Sequence, residues 1–492
     1  MVKFQNLKPL IFFHLTVNVI FVLFITGASY FHTPLVGWKD TLVYLLHLMV
    51  LQTTIAGIIY LLSLHRRLFR IVFGVSFMLL SCFSFWAYTQ DISVTPALFQ
   101  AILETKPDIA IDLITAPYAL FVIVAGAALL FILKYYNRIY PQMGSRILLI
   151  PALLCIGLYF IVESKRKGSL KNRLPYNILN AINAYTAKPE LILNSEIKYA
   201  HTKSDSLKMV FVLGETVRAD HLQLNGYERE TNPFLIDRKN LISFTNLYTK
   251  YSYTGASVPQ ILTNQNLDSR EGAFTSLYSV VSKAGYATTW IGNQTLEKSF
   301  DPVVQTNREV LLVDAYKSEF SFAKALDEEM LLPMKKELAE DNRKLVTLHM
   351  IGSHWWYENR YTDEFRKYTP VIDSKYVPSQ SAEQMINSYD NTLIYLDYFL
   401  EAVIRTLEKE PLPTVMVYVS DHGEHLGERG KWLHAQAGEE AKNPAYLIWY
   451  SDSFLLKYPD SIQKLQQLED EEITTDVIFE TVLKLLDIDY EI

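Results

Sequence analysis

Five long apolar runs occupy the first third of the chain. They lie near residues 9–30, 41–63, 69–88, 117–135 and 146–163. A helix needs about 20 predominantly apolar residues to cross a bilayer, so the pattern predicts a bundle of five transmembrane helices. The first run is too long, and too closely followed by the second, for a cleaved signal peptide. We therefore expect it to be retained as an anchor.

The hydrophobic pattern changes in the remaining two thirds. Four short apolar runs have the length and β-branched content of buried strands: KMVFVLG (208–214), YATTWIG (286–292), KLVTLHMIG (344–352) and TVMVYVS (414–420). Between them lie stretches with helical spacing, such as the apolar positions from Met385 to Leu407. Strands alternating with helices predict an α/β domain with a mostly parallel sheet and helices on both faces.

These patterns divide the chain into three predicted parts. We expect a transmembrane domain at 1–163, a linker at 164–200 and a folded α/β domain at 201–492. Lys and Arg cluster between the second and third runs and between the fourth and fifth, and such loops stay in the cytoplasm. With five spans, everything after residue 163 then lies outside the cytoplasm.

One segment does not fit this orientation. The stretch ESKRKGSLKNRL, residues 163–174, is strongly basic although it follows the fifth span and would lie outside. An amphipathic helix on an anionic membrane surface accounts for it, and so does a miscounted span. The sequence alone leaves both interpretations open.

Composition limits the classes of function. The net charge is -7, whereas a nucleic-acid-binding protein normally carries a basic face, so no nucleic-acid partner is expected. The two cysteines, Cys82 and Cys155, both lie in apolar runs and cannot form a disulfide framework for the α/β domain. A domain of this size can hold its core without disulfides.

Polar residues follow each predicted strand directly. They are Glu215-Thr216, Asn293-Gln294, Ser353-His354 and Asp421-His422. In an open α/β sheet, ligands bind beyond the carboxyl ends of the strands. Glu, Asp and His are ligands for zinc, or for manganese where oxygen donors dominate. The sequence therefore predicts a divalent metal site at this edge.

A metal ion there would lower the pKa of a coordinated hydroxyl, which can belong to water or to a threonine. Thr254, in KYSYTGASVPQ, precedes a predicted helix whose first amides favour a phosphate. The alternative role for Thr254 is that of a helix N-cap. Thr216, beside Glu215, is the rival nucleophile, and spacing alone does not choose between the two.

Four motifs together resemble a known family. They are FVLGETVRADHLQLNGYERETNP (211–233), TGASVP (254–259), HMIGSH (349–354) and SDHGEHLGERGKWLH (420–434). They are similar to the phosphoethanolamine transferases of Gram-negative inner membranes, within the sulfatase and alkaline-phosphatase superfamily. That family has five spans followed by a periplasmic catalytic domain, so the resemblance implies an alkaline-phosphatase/sulfatase-like fold in the periplasm.

The resemblance also implies a role for individual residues. The metal is expected to be bound by Glu215, Thr254, Asp421 and His422. Thr254 is the expected nucleophile, which would carry the phosphoethanolamine. The residues expected to contact substrate phosphate are Asn293 or Gln294, Lys298, His354 and His434. His354 and His434 alternatively hold a second metal. Zinc is expected, with one ion or two, ahead of manganese.

The implied reaction moves phosphoethanolamine from phosphatidylethanolamine to a cell-envelope acceptor, with lipid A or the lipopolysaccharide core expected first. The expected partners are therefore the donor lipid, the envelope acceptor and the bilayer itself. The rival activities are a phosphoglycerol transferase or another metal-dependent envelope phosphotransferase. The non-enzymatic rival is an inactive membrane lipid-binding scaffold. For His425, in the fourth motif, we expect a solvated loop position, with an extra metal ligand as the alternative.

Overall fold

The structure is a computed structural model. It describes residues 8–31, 37–90, 94, 99, 116–142, 148–165, 168–186, 191–267, 272–314, 325–340, 342–373, 380–434 and 438–492. Residues 143–147 of one orientation-setting loop, and Arg166 and Lys167 of the basic segment, lie outside this set. The chain divides into two compact units, one spanning 1–187 with 316–322 and the other spanning 188–315 and 323–492.

The first unit consists of helices. Four are long and apolar enough to cross a membrane within the described residues: α1 (Lys8–Ala28), α2 (Trp38–Ser63), α3 (Arg66–Thr89) and α4 (Ala116–Ile139). The fifth predicted run forms α5 (Leu149–Lys165), which has 17 residues. Pro151 lies in its first turn, where a proline costs no hydrogen bond. An eleven-residue helix, α6 (Tyr176–Thr186), follows.

Close packing joins two of these helices. A Cβ atom on Gly57 of α2 would lie 2.7 Å from the carbonyl oxygen of Ala152 in α5. Small residues allow helix backbones to approach in membranes, where the lipid is as apolar as the side chains. Elsewhere in the unit, the rings of Phe69 and Tyr136 stack with centroids 4.1 Å apart.

The second unit is built on a seven-stranded sheet with the strand order β3-β9-β8-β2-β7-β5-β6. Its strands are β2 (Leu207–Gly214), β3 (Leu241–Phe244), β5 (Ala287–Gly292), β6 (Glu309–Leu312), β7 (Arg343–His349), β8 (Thr414–Ser420) and β9 (Tyr446–Tyr450). Two-stranded sheets pair β1 (Tyr199–Thr202) with β11 (Ile488–Glu491), and β4 (Leu247–Tyr248) with β10 (Ile473–Thr474).

The large sheet is mixed. Among its described strands, β8, β2, β7, β5 and β6 pair in parallel, whereas β9 is antiparallel to both β8 and β3. All eight residues of β2 are buried, as expected for a strand covered on both faces. The register pairs Gly214 with Ser420 and Leu213 with His349. The residues that follow β2, β7 and β8 therefore meet at one edge.

The helices of this unit are α7 (Thr254–Ile261), α8 (Leu277–Lys283), α9 (Asp301–Val304), α10 (Leu331–Leu338), α11 (Ala382–Leu407), α12 (Asp452–Lys457), α13 (Pro459–Gln466) and α14 (Val477–Leu485). The helical spacing predicted from Met385 to Leu407 lies within α11. A capping box begins that helix, because Ser381 accepts from the Gln384 amide and Gln384 accepts from the Ser381 amide.

Candidate active site

The ends of β2 and β8 bring together three buried ligand-type residues. Glu215 follows β2, and Asp421 and His422 follow β8; none of the three is exposed to solvent. One ligand atom from each lies within 4.8 Å of the others. His422 Nε2 is 3.4 Å from Glu215 Oε1 and 3.3 Å from Asp421 Oδ2. These contacts follow from the register that aligns the two strand ends.

Hydrogen bonds fix the orientation of two of these side chains, His422 and Asp421. His422 Nδ1 lies 2.8 Å from the carbonyl oxygen of Gly423, so Nδ1 carries the hydrogen and Nε2 turns toward the carboxylates. Asp421 Oδ1 accepts hydrogen bonds from the backbone amides of Thr216 and His422 at 3.2 and 2.8 Å. Asp421 Oδ2 and His422 Nε2 form no hydrogen bond with any described residue. Two buried, oriented lone-pair donors beside Glu215 fit a divalent cation.

The pKa shifts of the three side chains also fit a site for a cation. Burial would raise the pKa of Glu215, but the nearby His422 imidazole and its charge hold it well below its usual range. Burial and the charge of Glu215 raise the pKa of Asp421 to about 7. Burial would lower the pKa of His422, yet Asp421 and Glu215 raise it to about 10. The two carboxylates therefore hold a proton on His422, at the place where a metal ion would compete with that proton.

Thr254 reaches the same group from the start of α7. Its hydroxyl donates to Glu215 at 3.3 Å from Oε1 and 3.1 Å from Oε2. The N-cap of the helix is Tyr253, and the cap makes no side-chain hydrogen bond, so the Thr254 hydroxyl faces the carboxylate instead of capping the helix. Thr254 is 8% exposed. Thr254 is thus slightly more open to solvent than the three ligand-type residues that it joins.

The rival threonine also contacts Glu215. The Thr216 hydroxyl donates to Glu215 Oε1 at 2.7 Å. Thr216 is completely buried, and its φ of 65° is an unusual conformation for a threonine. Its backbone carbonyl accepts from the Tyr389 hydroxyl at 2.8 Å, which fixes this turn. Thr216 is thus enclosed, whereas Thr254 retains access.

The structure separates Asn293 from Gln294. Gln294 Nε2 donates to Glu215 Oε2 at 3.0 Å and to the Met350 carbonyl at 2.6 Å. Asn293 Nδ2 instead donates to Asp327 Oδ1 and to the Ala325 carbonyl, each at 2.9 Å. Only Gln294 of this pair contacts the group around Glu215 within the described residues.

His354 and His434 lie next to one another and to His422. The ring centroids are 5.6 Å apart for His354 and His434 and 4.8 Å apart for His434 and His422. Burial lowers the pKa of His354 to about 3, so its imidazole is neutral near pH 7.

Lys298 is half-buried in the loop that follows β5. A Cβ atom on Gly255 would come within 3.2 Å of Ser299 Oγ, so this loop runs close to the start of α7.

Comparison with known proteins identifies the domain. The sulfatase family model matches residues 208–488. The chain belongs to the sulfatase family. It is 31% identical over 290 residues to phosphoethanolamine transferase EptA of Escherichia coli K12, a match covering 56% of this chain and 52% of that protein. The chain thus spans about half the length of this curated relative.

Two solved structures extend the comparison. The soluble domain of lipooligosaccharide phosphoethanolamine transferase A from Neisseria meningitidis is 30% identical, with a TM-score of 0.53 over 62% of this chain and 93% of that one. The integral membrane form of that protein is 23% identical, with a TM-score of 0.53 over 98% of this chain and 96% of that one, and it shows a shared fold. The resemblance to the phosphoethanolamine transferases is confirmed.

This sulfatase-family domain contains site residues that the sequence did not reveal. Asp327 accepts from the amides of Ile351 and Gly352 at 2.9 and 3.0 Å, in addition to Asn293. Burial raises the pKa of the Asp327 carboxyl. It anchors the segment that leads to His354. Asp327 lies between the second and third motifs and belongs to neither, so no motif spacing could have indicated it.

A second unrecognised group holds the hairpin after β8. The amides and carbonyls of His425 and Leu433 pair with each other, which places His434 opposite Glu424. The Arg218 guanidinium donates to the Glu424 carbonyl at 3.2 Å and also pairs with Glu428 and Asp220. Arg218 lies within the first family motif, which was the available signal.

The expectation for His425 is wrong. Its side chain is completely buried, and Nδ1 lies 3.4 Å from Glu440 Oε2. A Cβ atom on Gly438 would lie 2.8 Å from His425 Nε2, so the returning chain covers the ring. The hairpin folds back over this position, which a loop-like composition does not indicate.

Proposed function

We propose that the protein transfers phosphoethanolamine from phosphatidylethanolamine to a cell-envelope acceptor, through an ester on Thr254. Lipid A or the lipopolysaccharide core is the proposed acceptor. The observation that carries the proposal is the contact between the Thr254 hydroxyl and Glu215, within the buried group completed by Asp421 and His422. A hydroxyl at that place is both positioned for attack and available to a substrate.

The relatives support the choice of substrates. The E. coli relative is a phosphoethanolamine transferase, and the N. meningitidis relative is described as acting on lipooligosaccharide. The two matches cover 56% and 62% of this chain. A phosphorylated glycolipid is therefore the acceptor class that we propose for this chain.

Zinc is the proposed metal. Its ligands would be Glu215, Thr254, Asp421 and His422, a mixed nitrogen and oxygen set that suits zinc better than manganese. When bound, the ion lowers the pKa of a coordinated hydroxyl and neutralises charge on phosphate oxygens. A second ion near His354 and His434 is the alternative to direct contact between these imidazoles and the phosphate.

In the first proposed step, Thr254 Oγ1 attacks the phosphorus of phosphatidylethanolamine. The bond from Oγ1 to phosphorus forms as the bond to the diacylglycerol oxygen breaks, and the hydroxyl proton ends on that oxygen. Glu215 fixes the position of Thr254 Oγ1, and Gln294 in turn fixes the Glu215 carboxylate. The first amides of α7 face the added negative charge, as helix N-termini do.

In the second step, a hydroxyl or phosphate oxygen of the acceptor attacks the same phosphorus. The bond to Thr254 Oγ1 breaks, and the acceptor proton returns to the threonine. Lys298, His354 and His434 are the proposed contacts for the non-bridging oxygens, where donors stabilise the developing charge. Two in-line displacements retain the configuration at phosphorus.

The proposed setting is the bacterial inner membrane, with five spans and the catalytic domain in the periplasm. This assigns α5 as the fifth span, residues 1–163 to the membrane domain, 164–200 to a linker whose last two residues begin β1, and 201–492 to the rest of the catalytic domain. Support comes from the cationic loops on one side and from the apolar composition of α5.

Transfer of labelled headgroup tests the proposal. The full chain is incubated with lipid A and with either ethanolamine-labelled phosphatidylethanolamine or glycerol-labelled phosphatidylglycerol. We expect label on lipid A only from phosphatidylethanolamine, and none with Thr254→Ala. Label only from phosphatidylglycerol would indicate a phosphoglycerol transferase. No transfer from either donor by metal-loaded protein would favour a lipid-binding scaffold.

A further inference from the structure

A cavity of about 730 Å³ lies at the edge of the large sheet where its parallel strands begin. Its lining includes Ala287, the first residue of β5, and Arg343, the first residue of β7. The candidate active site lies at the opposite edge, where β2 and β8 end. The seven residues of β7 span about 20 Å at the usual rise of a strand. The cavity is therefore separate from the group around Glu215.

Polar and charged side chains form most of the lining. Seven of the ten lining residues are Asp, Ser, Thr, Asn or Arg. Pockets for drug-like molecules are lined mainly by hydrophobic and aromatic side chains, so this composition favours a hydrophilic ligand. The lining includes two arginines, Arg308 and Arg343, and one carboxylate, that of Asp205. This balance favours a ligand with net negative charge.

The Arg343 guanidinium packs with its face against a glycine. A Cβ atom on Gly285 would lie 3.1, 3.4 and 3.5 Å from Nη2, Cζ and Nη1 of Arg343. Gly285 has a φ of 91° and follows the end of α8, where glycine is favoured. A cation beside the C-terminal end of a helix is itself stabilising. Nevertheless, the guanidinium donates no hydrogen bond to any residue that the structure describes, which leaves its N–H edges for a ligand.

Two acceptors line the same cavity. Asn307 is 9% exposed, and its Oδ1 has no hydrogen-bond partner among the described residues. Asn307 Nδ2 donates to the Val304 carbonyl at 3.0 Å, which fixes the orientation of the amide. The exposed Asp205 carboxylate forms no ion pair with Arg343 or with another described residue. A buried acceptor without a donor is costly, so the ligand must supply donors as well as negative charge.

We propose that this cavity binds a phosphorylated sugar. The phosphate lies on the edge of the Arg343 guanidinium, whose planar fork matches phosphate oxygens, and Arg308 adds a second positive charge. Hydroxyl groups of the sugar donate to Asn307 Oδ1 and to Asp205. Inorganic phosphate has no sugar hydroxyls to donate and is repelled by Asp205. The site is independent of the proposed transfer reaction, because it lies at the opposite edge of the sheet.

Titration calorimetry of the full chain in neutral detergent tests the cavity, with glucose 6-phosphate, glucose and inorganic phosphate as probes. We expect glucose 6-phosphate to bind most tightly, and Arg343→Gln to weaken this binding about ten-fold or more. Arg405→Gln removes an exposed arginine of α11 and is the matched control, which should bind as the unaltered chain does. Lys298→Gln, in the candidate active site, should also leave this binding unchanged.

Asp205→Ala should have opposite effects on two of the probes. It removes an acceptor for the sugar hydroxyls, so glucose 6-phosphate should bind more weakly. It also removes a negative charge, so inorganic phosphate should bind more tightly. Weaker binding of both probes, or no change in either, would contradict the role of Asp205 and overturn the proposal.

A measurement on the unaltered chain covers the case in which a variant folds poorly. Phenylglyoxal modifies accessible arginines, and glucose 6-phosphate should protect the peptide containing Arg343 but not the one containing Arg405. No protection of Arg343, equal affinity for glucose 6-phosphate and inorganic phosphate, or a loss of binding confined to Lys298→Gln would each overturn the proposal. These readouts do not involve headgroup transfer, so their failure is distinct from failure of the proposed reaction.

Discussion

At the scale of single residues, the two oxygens of Asp421 have separate partners. Oδ1 accepts hydrogen bonds from two backbone amides, and Oδ2 lies 3.3 Å from His422 Nε2. The first contact orders the turn after β8, while the second oxygen faces the group that we assign to a metal. Removing the charge without removing the side-chain volume should therefore separate folding from metal binding.

We expect Asp421→Asn to fold but to lose metal affinity by more than about ten-fold, and transfer with it. Metal content after dialysis and headgroup transfer are measured on the same preparation. Asp460→Asn, at an exposed position, is the control and should retain both. Full metal occupancy in Asp421→Asn would remove Asp421 from the ligand set.

Asn293 and Gln294 should behave differently although they are adjacent. Asn293→Ala removes one of three donors to the buried Asp327 and the side-chain donor to the Ala325 carbonyl, which costs about 1–3 kcal/mol of unfolding free energy. Gln294→Ala removes the donor to Glu215 and should lower transfer per folded molecule. Thermal unfolding and transfer well below the unfolding temperature are compared. A transfer loss confined to Asn293→Ala would contradict the assignment.

The sequence could bring together the three ligand-type residues of the candidate site, but not the contacts around them. Residues that end parallel strands share an edge, so Glu215, Asp421 and His422 could be placed together from the pattern alone. The choice between Asn293 and Gln294 depends on the direction of each side chain after β5. Within a strand, side chains alternate between the two faces, but this rule no longer applies once the strand has ended. Asp327 lies in no motif, because its role arises only from the tertiary fold.

At the scale of elements, one arginine holds the hairpin that carries His434. The Arg218 guanidinium contacts the Glu424 carbonyl, Glu428 and Asp220 at once. A lysine ammonium has no planar fork and cannot satisfy the three together. His434 follows the strand-like pairing of His425 with Leu433, so a looser hairpin would displace it from His354 and His422.

We expect Arg218→Lys to lower transfer by ten-fold or more and to increase hydrogen exchange of residues 424–434, since charge-assisted hydrogen bonds contribute about 1.5–3 kcal/mol. Arg238→Lys is the matched control, because Arg238 also joins two carboxylates, Glu401 on α11 and Glu408 directly after it. Equal exchange in both variants, with transfer unchanged in Arg218→Lys, would assign Arg218 no positioning role.

The elements themselves were unequally predictable. Long runs such as α11, and fully buried strands such as β2 and β8, have strong periodic or apolar patterns and lie where predicted. The antiparallel strand β9 has the same apolar composition as its neighbours. Composition does not show whether a strand runs parallel or antiparallel to the next one. The fifth apolar run gives only the 17-residue α5, a length at the lower limit for a span.

At the scale of the whole molecule, each unit has its own apolar core. In the second unit, Ile197 and Ile488 join the core formed by the large sheet and its helices. The pairing of β1 with β11 connects residues 199–202 to 488–491. The predicted domain boundary at residue 201 falls inside β1, whereas the division at 187 leaves that strand whole.

A fragment comprising residues 188–492 should therefore fold in detergent-free buffer and unfold cooperatively. A fragment of 201–492 starts inside β1 and should be less stable, because it loses Ile197 and half of a strand. Denaturant unfolding and protease resistance compare the two. An insoluble 188–492 fragment, or two fragments of equal stability, would contradict this boundary.

The central claim is that Thr254 carries the transferred group, and the mass of one peptide tests it most directly. The full chain is incubated with phosphatidylethanolamine and no acceptor, and the peptide containing TGASVPQ is then analysed. We predict a phosphoethanolamine adduct on Thr254, reduced but present in Thr254→Ser and absent in Thr254→Ala. Thr254→Ala should still fold, because the hydroxyl caps no helix. An adduct on Thr216 with Thr254 unmodified, or full transfer by Thr254→Ala, would contradict the claim.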